Sequence, residues 1–165
     1  MSDSTLERRP ARALNDRWLA AWSEATPQAF GACCAVSVHY EDPLLREPLD
    51  GLDALARHAA SVRGALPDMR LEAVGEPVTE AGHGCLPWRT LGTHKGAAGS
   101  LPATGRFLVV HGVHYVELVD GLIHRARGFF DLYDAAVQLG LLPARGSLGE
   151  SAVLMLRGFG LRPRA

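Results

Sequence analysis

The amino-acid sequence predicts an α+β domain over residues 11–142, a curved antiparallel sheet wrapped around three N-terminal helices. Three observations predict it. Apolar residues recur at three- and four-residue steps in separate segments before residue 66. Apolar and polar residues alternate in Val36–Glu41 and in segments after Pro67. An Asp120-Gly121 pair joins two β-rich runs near the end. Helices ahead of successive strands pack on one face of a sheet, and a strongly bent sheet closed by helices leaves an interior suited to a ligand.

Residues 1–10 are polar and read as a flexible arm. From Ala11, the positions Leu14, Trp18, Ala21 and Trp22 form one face of a helix. Thr26-Pro27 supplies an N-cap and a first-turn proline for a second, short helix that buries Phe30 and Cys33 or Cys34. Val36, Val38 and Tyr40 lie on one side of a strand that Asp42-Pro43 ends. Leu52, Leu55, Ala56, Ala59 and Val62 form the stripe of a third helix. Strands follow over Met69–Val74 and about Gly84 to His94, where Pro87 demands an edge position or a bulge. Lys95 to Ala103 is a loop of glycine and small residues. Arg106–Val119 and Leu122–Asp131 make the last hairpin, with a type I′ turn at Asp120-Gly121. Leu132–Leu139 is a short helix stopped by Gly140. Residues 143–165 form a tail in which Ser147 and Glu150 predict a capping box for a brief helix through Leu156.

With 47% hydrophobic and 21% charged residues and a net charge of -1, the chain reads as a water-soluble globule with no electrostatic attraction to nucleic acid. No run approaches the roughly 18 apolar residues of a membrane span, and the N-terminus lacks the apolar core of a signal peptide. A cytoplasmic protein is expected. Cys33, Cys34 and Cys85, an odd count without a CxxC, read as small buried side chains of a reducing compartment. Seven histidines raise the question of a metal. His111 and His114, three apart on a strand, point to opposite faces, and no HExxH occurs, so no metal and no cofactor are expected.

Pairing outward from Val119 and Leu122 sets the hairpin register. Val110, His114 and Val116 then share a face with Arg127, Phe129 and Asp131, with His114 opposite Arg127. A bulge in the first strand would put His111 there in place of His114. An aspartate among valine and phenylalanine side chains has its charged form disfavoured, which suits a general acid or base. Asp131 also stands where it would cap the following helix. Trp18, Trp22, Tyr40, Trp88 and Phe129 are candidate aromatic walls, and His94 is placed to reach the cavity mouth. His58 and His124 read as surface or helix-face residues. The opposite face of the hairpin, with Val113, Tyr115 and Phe130, is apolar enough to predict a homodimer through the outer sheet.

Two segments resemble known families. Asp42-Pro43-Leu44-Leu45-Arg46-Glu47-Pro48-Leu49-Asp50-Gly51 has the pattern D-P-x-x-x-E-P-x-x-G and resembles the loop after the first strand of bacterial ketosteroid isomerases. Gly92-Thr93-His94-Lys95-Gly96, Ala103-Thr104-Gly105-Arg106, Asp120-Gly121, Asp131 and Gln138-Leu139-Gly140 follow one another as in the SnoaL-like polyketide cyclases. The resemblance covers about residues 11–142 and implies the NTF2-like (cystatin-like) cone of both families. It implies Asp42 as the isomerase base and Asp131 as the cyclase acid/base. Trp18 and His114 stand where the isomerases have their oxyanion tyrosine and protonated aspartate.

Two functions are expected from this. The first is a cofactor-independent isomerase or aldol cyclase. Asp131 and Asp42 would move a proton beside a carbonyl, His114 would stabilise the enolate, and Trp18, Trp22, Tyr40, Trp88, His94, Val110, Arg127 and Phe129 would hold a hydrophobic or aromatic, polyketide- or steroid-like ligand. The second is a binding protein of the same fold without chemistry. Both aspartates facing one cavity would favour the enzyme; either one engaged as a helix cap away from the cavity would favour binding. A water-activating hydrolase is a weaker third reading, drawn from Arg127 beside Asp131.

Overall fold

The computed structural model describes residues 3–157. Its elements are α1 (Asp3–Glu24), α2 (Pro27–Gly31), β1 (Cys34–Glu41), β2 (Leu49–Asp50), α3 (Leu52–Ala65), β3 (Arg70–Ala73), β4 (Val78–Glu80), β5 (His83–Thr93), β6 (Phe107–Val119), β7 (Leu122–Phe130), α4 (Leu132–Gln138) and α5 (Leu148–Leu156). The strands form a curved, unclosed sheet in the order β2-β1-β7-β6-β5-β3, with β4 also on β5. Neighbours are antiparallel except β1 and β7, which run parallel. The all-antiparallel expectation is corrected there: helix α3 and five strands separate β1 from β7 in sequence, so no tight turn sets their relative direction.

Local chemistry sets most boundaries. Thr26 Oγ1 accepts the Ala29 N–H at 3.2 Å, capping α2 ahead of Pro27. Asp120 and Gly121 both take positive φ, 50° and 77°, as a type I′ turn requires. Pro87 falls in the break between β4, paired as far as Cys85, and β3, paired from Trp88, so its missing N–H interrupts no ladder. Ser147 caps α5 by accepting the Glu150 N–H at 3.2 Å. Helix α1 starts at Asp3, eight residues before the expected Ala11; its polar first turns carry no apolar period to reveal them. Residues 158–165 of the tail lie outside the described residues.

The core gathers Trp18, Trp22, Phe30, Val38, Tyr40, Leu55, Leu86, Val116 and Ile123 between the helices and the inner sheet face. Cys33 and Cys34 are buried there, whereas Cys85 is exposed. On β5 the buried residues are Gly84, Leu86, Trp88, Thr90 and Gly92, and Cys85 alternates to the outer face.

The hairpin register differs from the expected one. Leu118 pairs with Ile123 but Glu117 pairs with Arg125, so His124 is an extra residue on β7. A one-residue slip turns every later side chain over. Ala126, Gly128 and Phe130 therefore face inward, and Arg125, Arg127 and Phe129 face outward. His114 lies opposite Gly128, not Arg127.

Candidate active site

Between α3, α4 and the inner sheet face lies a cavity of about 480 Å³. Tyr40 and Asp42 enter it from the end of β1, His58 from α3, Trp88 and Thr90 from β5, Val110 and His114 from β6, and Phe130 from β7. Leu132 and Ala135 of α4, with Leu139 at its C-cap, cover one side. The Gln138 amide fixes that helix, accepting the Val109 N–H and donating to the Val109 carbonyl, both at 2.8 Å. Strand β6 extends past its pairing with β7 there, so a side chain completes the ladder.

Asp42 holds the polar end. The Asp42-Pro43-Leu44 turn closes when Oδ1 accepts the Leu44 N–H at 2.8 Å. Its Oδ2 accepts the Tyr40 hydroxyl at 2.9 Å and lies 2.7 Å from His58 Nε2. The Asp42 and His58 side chains are only 3% and 11% exposed. Burial pushes the Asp42 carboxyl up, but the His58 hydrogen bond and charge, the Leu44 N–H and the Tyr40 hydroxyl outweigh it, leaving the group below its ordinary value. Each oxygen is engaged, so Asp42 stays ionised and orients its partners. His58 gives its Nε2–H to Asp42, which fixes the orientation of the ring.

His114 extends this chain. Its Nε2 lies 3.4 Å from the Tyr40 oxygen. Tyr40 gives its one proton to Asp42, so His114 is the donor in that contact and Nδ1 is an acceptor. The ring is stacked between Trp22 and Trp88 at centroid distances of 5.7 and 5.3 Å. Burial lowers its pKa to about 3, with the Asp42 charge opposing, so the imidazole is uncharged. Trp22 Nε1 and Trp88 Nε1, His114 Nδ1 and His94 Nε2 are buried without a protein partner.

The structure brings Asp42, His114, Trp22, Tyr40, Trp88, His94 and Val110 together on one cavity and leaves four expected residues outside its lining. Asp131 is exposed and caps α4, its Oδ1 accepting the Asp134 N–H at 2.9 Å. Arg127 pairs with Glu41 at 2.6 Å on the outer face, where Phe129 is 47% exposed. Both were turned outward by the extra residue at His124. Trp18 is fully buried behind the wall, edge-on to His114 at 5.3 Å. His58, read from sequence as a surface or helix-face residue, lines the cavity instead. The signal was present: His58 follows Leu55 by three residues and precedes Val62 by four, on the flank of the α3 stripe. Among the described residues, no group of three or more His, Cys, Asp or Glu is arranged to hold a metal, and no helix is long and apolar enough to cross a membrane.

A curved sheet with helices over one face thus encloses a largely apolar cavity carrying a few convergent polar groups. The chain belongs to the SnoaL-like polyketide cyclase family, whose model matches residues 12–139. It is similar in structure to a protein of the SnoaL-like polyketide cyclase type from Jannaschia sp. CCS1, at 15% identity and a TM-score of 0.72, covering 83% of this chain and 96% of the other. TsrD from Streptomyces laurentii is 22% identical with a TM-score of 0.72, covering 82% and 98%. A protein of ketosteroid isomerase-like fold from Catenulispora acidiphila, solved with trimethylamine, is 17% identical with a TM-score of 0.64, covering 77% and 92%. At these identities the likeness is one of fold. No curated protein matches the chain by sequence.

Proposed function

We propose that the protein is a cofactor-independent isomerase or aldol cyclase that moves a proton at a carbon beside a carbonyl. The observation that carries this reading is the buried Asp42–His58 pair, 2.7 Å apart at the wall of the cavity. A carboxylate that fixes one nitrogen of a neutral imidazole orients the ring so that the other nitrogen can act as a base. His58 is the proposed proton carrier and Asp42 its orienting partner. His114, an acceptor toward Nδ1 in this hydrogen-bond chain, suits a ligand hydroxyl, and the indole N–H groups of Trp22 and Trp88 suit a developing enolate oxygen. The aromatic and aliphatic walls suit a polyketide- or steroid-like ring system.

Deuterium uptake tests the reading. In D₂O the protein is expected to accelerate exchange of the methylene protons of 2-tetralone, followed by NMR. His58→Gln is expected to lower that rate by about 10²–10⁴-fold, the usual worth of a positioned acid or base. Exchange at the solvent rate in the presence of the native protein would reject it.

The binding reading has its own support: Asp131 is engaged as a helix cap, the arrangement expected of a protein that only holds its ligand. Saturable binding of 2-tetralone without any accelerated exchange would establish that alternative.

A further inference from the structure

We infer that His94 is a second recognition point, a buried donor that selects ligands bearing an uncharged acceptor oxygen at the end of the cavity away from His58. The inference deepens the proposed function and rests on the same cavity.

The ring's protonation pattern follows from its neighbours. The Thr104 backbone N–H, which can only donate, lies 3.1 Å from His94 Nδ1. Nδ1 is therefore the acceptor, and the proton of the ring sits on Nε2. Thr104 Oγ1 lies 3.1 Å from the same nitrogen. His94 is 2% exposed, lines the cavity, and its Nε2 has no protein partner. A buried donor without a partner opposes folding, and such groups in a cavity wall fit a ligand that supplies the missing acceptor.

The backbone around His94 is held from three directions. His94 N–H donates to Arg106 and its carbonyl accepts from Gly105, both at 2.9 Å. Asp68 accepts the Thr93 N–H and hydroxyl at 2.7 and 2.8 Å. The Ala65 carbonyl, at the end of α3, accepts from both Lys95 and Gly96 at 3.1 Å. Gly96 packs so closely there that a Cβ would sit 2.0 Å from the Gly64 oxygen. A donor positioned this firmly is preorganised, which is what recognition by one hydrogen bond needs.

Helix α3 serves as a ruler. His58 and Ala65 both line the cavity, and seven residues at 1.5 Å each separate them by about 10 Å of helix rise. His94 adjoins the Ala65 end. A ligand that meets both histidines is therefore elongated. Leu66, Met69, Leu108 and Leu139 surround that end and supply no charge, so a ketone, quinone or ester oxygen fits better than a carboxylate.

The experiment compares 2-acetylnaphthalene with 2-ethylnaphthalene, near-isosteres that differ in the acceptor oxygen, by calorimetry. The native protein is expected to prefer the ketone by about tenfold. In His94→Asn the shorter amide oxygen still serves Thr104, but the distal donor is gone, and the preference for the ketone over ethylnaphthalene is expected to vanish. In His94→Gln the amide N–H reaches toward the lost position, and part of the preference is expected to return. In the unaltered protein, the His94 Nε2–H resonance is expected to move on adding the ketone and not the hydrocarbon, which is independent of how the variants fold. A ketone preference that survives His94→Asn, or no preference in the native protein, overturns the inference and leaves the His58 chemistry standing. Deuterium exchange at the solvent rate with the preference intact rejects that chemistry and leaves His94 as a recognition point.

Discussion

Asp42 and His58 meet across the gap between the end of β1 and the middle of α3, Oδ2 to Nε2 at 2.7 Å. Both side chains are nearly out of water, and Tyr40 donates to the same Asp42 oxygen. The pair joins the residue just after the first strand to one sixteen positions later, on a helix whose apolar stripe turns it toward the sheet. An ionised carboxylate with each oxygen engaged is a poor proton acceptor and a good anchor. The proposed proton carrier is therefore the histidine, with the aspartate as its anchor.

Replacing Asp42 by Asn is accordingly expected to lower 2-tetralone exchange by about two to four orders of magnitude, the scale seen when a buried aspartate stops orienting a catalytic histidine. The NMR exchange assay that follows His58→Gln checks it. A variant with native exchange would show that His58 needs no orienting partner.

Acid is expected to unfold the protein early. His114 titrates at about 3 in the folded state against 6.5 ordinarily, so the unfolded chain binds the extra proton throughout that window. Stability therefore falls as pH drops from about 6.5 toward 3, at up to about 1.4 kcal/mol per pH unit for this one group. Asp42 acts in the same direction lower down, since a carboxyl held below its ordinary value loses its contribution as pH falls through its folded pKa. Urea melts from pH 7 to pH 4 measure the slope, and His114→Leu is expected to flatten it.

Asp131→Ala is expected to leave proton exchange unchanged while lowering stability by about 1 kcal/mol, the usual worth of a side-chain N-cap. Thermal unfolding by circular dichroism and the exchange assay, run on the same sample, separate the two effects. A loss of exchange at native stability would restore Asp131 as an acid or base.

Gly112 makes room for an aromatic wall. A Cβ there would lie 2.3 Å from Trp88 Cζ2 and 2.7 Å from the Phe129 carbonyl oxygen. Gly112→Ala is expected to displace the Trp88 ring from its stack on His114 and to destabilise the fold by roughly 1–3 kcal/mol. Urea denaturation and a changed tryptophan emission spectrum report both consequences.

The outer sheet face carries Phe129 beside Val113, its cross-strand partner, with Pro87 next in the row. We propose that two copies of the chain pair through this face, as large apolar side chains at a sheet surface favour. Light scattering is expected to give a dimer mass that Phe129→Asp shifts to monomer; a monomeric native protein would reject the pairing.

Much of the fold was legible because its signals are local. Thr26-Pro27, Asp120-Gly121 and Ser147 with Glu150 mark boundaries through hydrogen bonds within four residues, and the α3 stripe is a matter of period. The cavity-facing Trp22, Tyr40, Asp42, Trp88 and His114 followed from alternation and periodicity together with two recognisable loops. Past His124 the same reasoning failed on β7. A single extra residue leaves no mark in composition, yet it sends Phe130 to the cavity and Phe129 to the outer face.

What the sequence by itself determined is the α+β order, the helix faces, and the aspartate after the first strand, because each depends on neighbours close along the chain. The strand faces held only where no bulge intervened, and Val36, expected beside Val38 and Tyr40, is 81% exposed at a register shift in β1. Only the tertiary structure decided the β7 register, the meeting of Asp42 with His58, and the use of Asp131 as a cap. Those outcomes depend on which distant backbone groups pair and which polar atoms find partners once water is excluded, and neither is written in the spacing of residues.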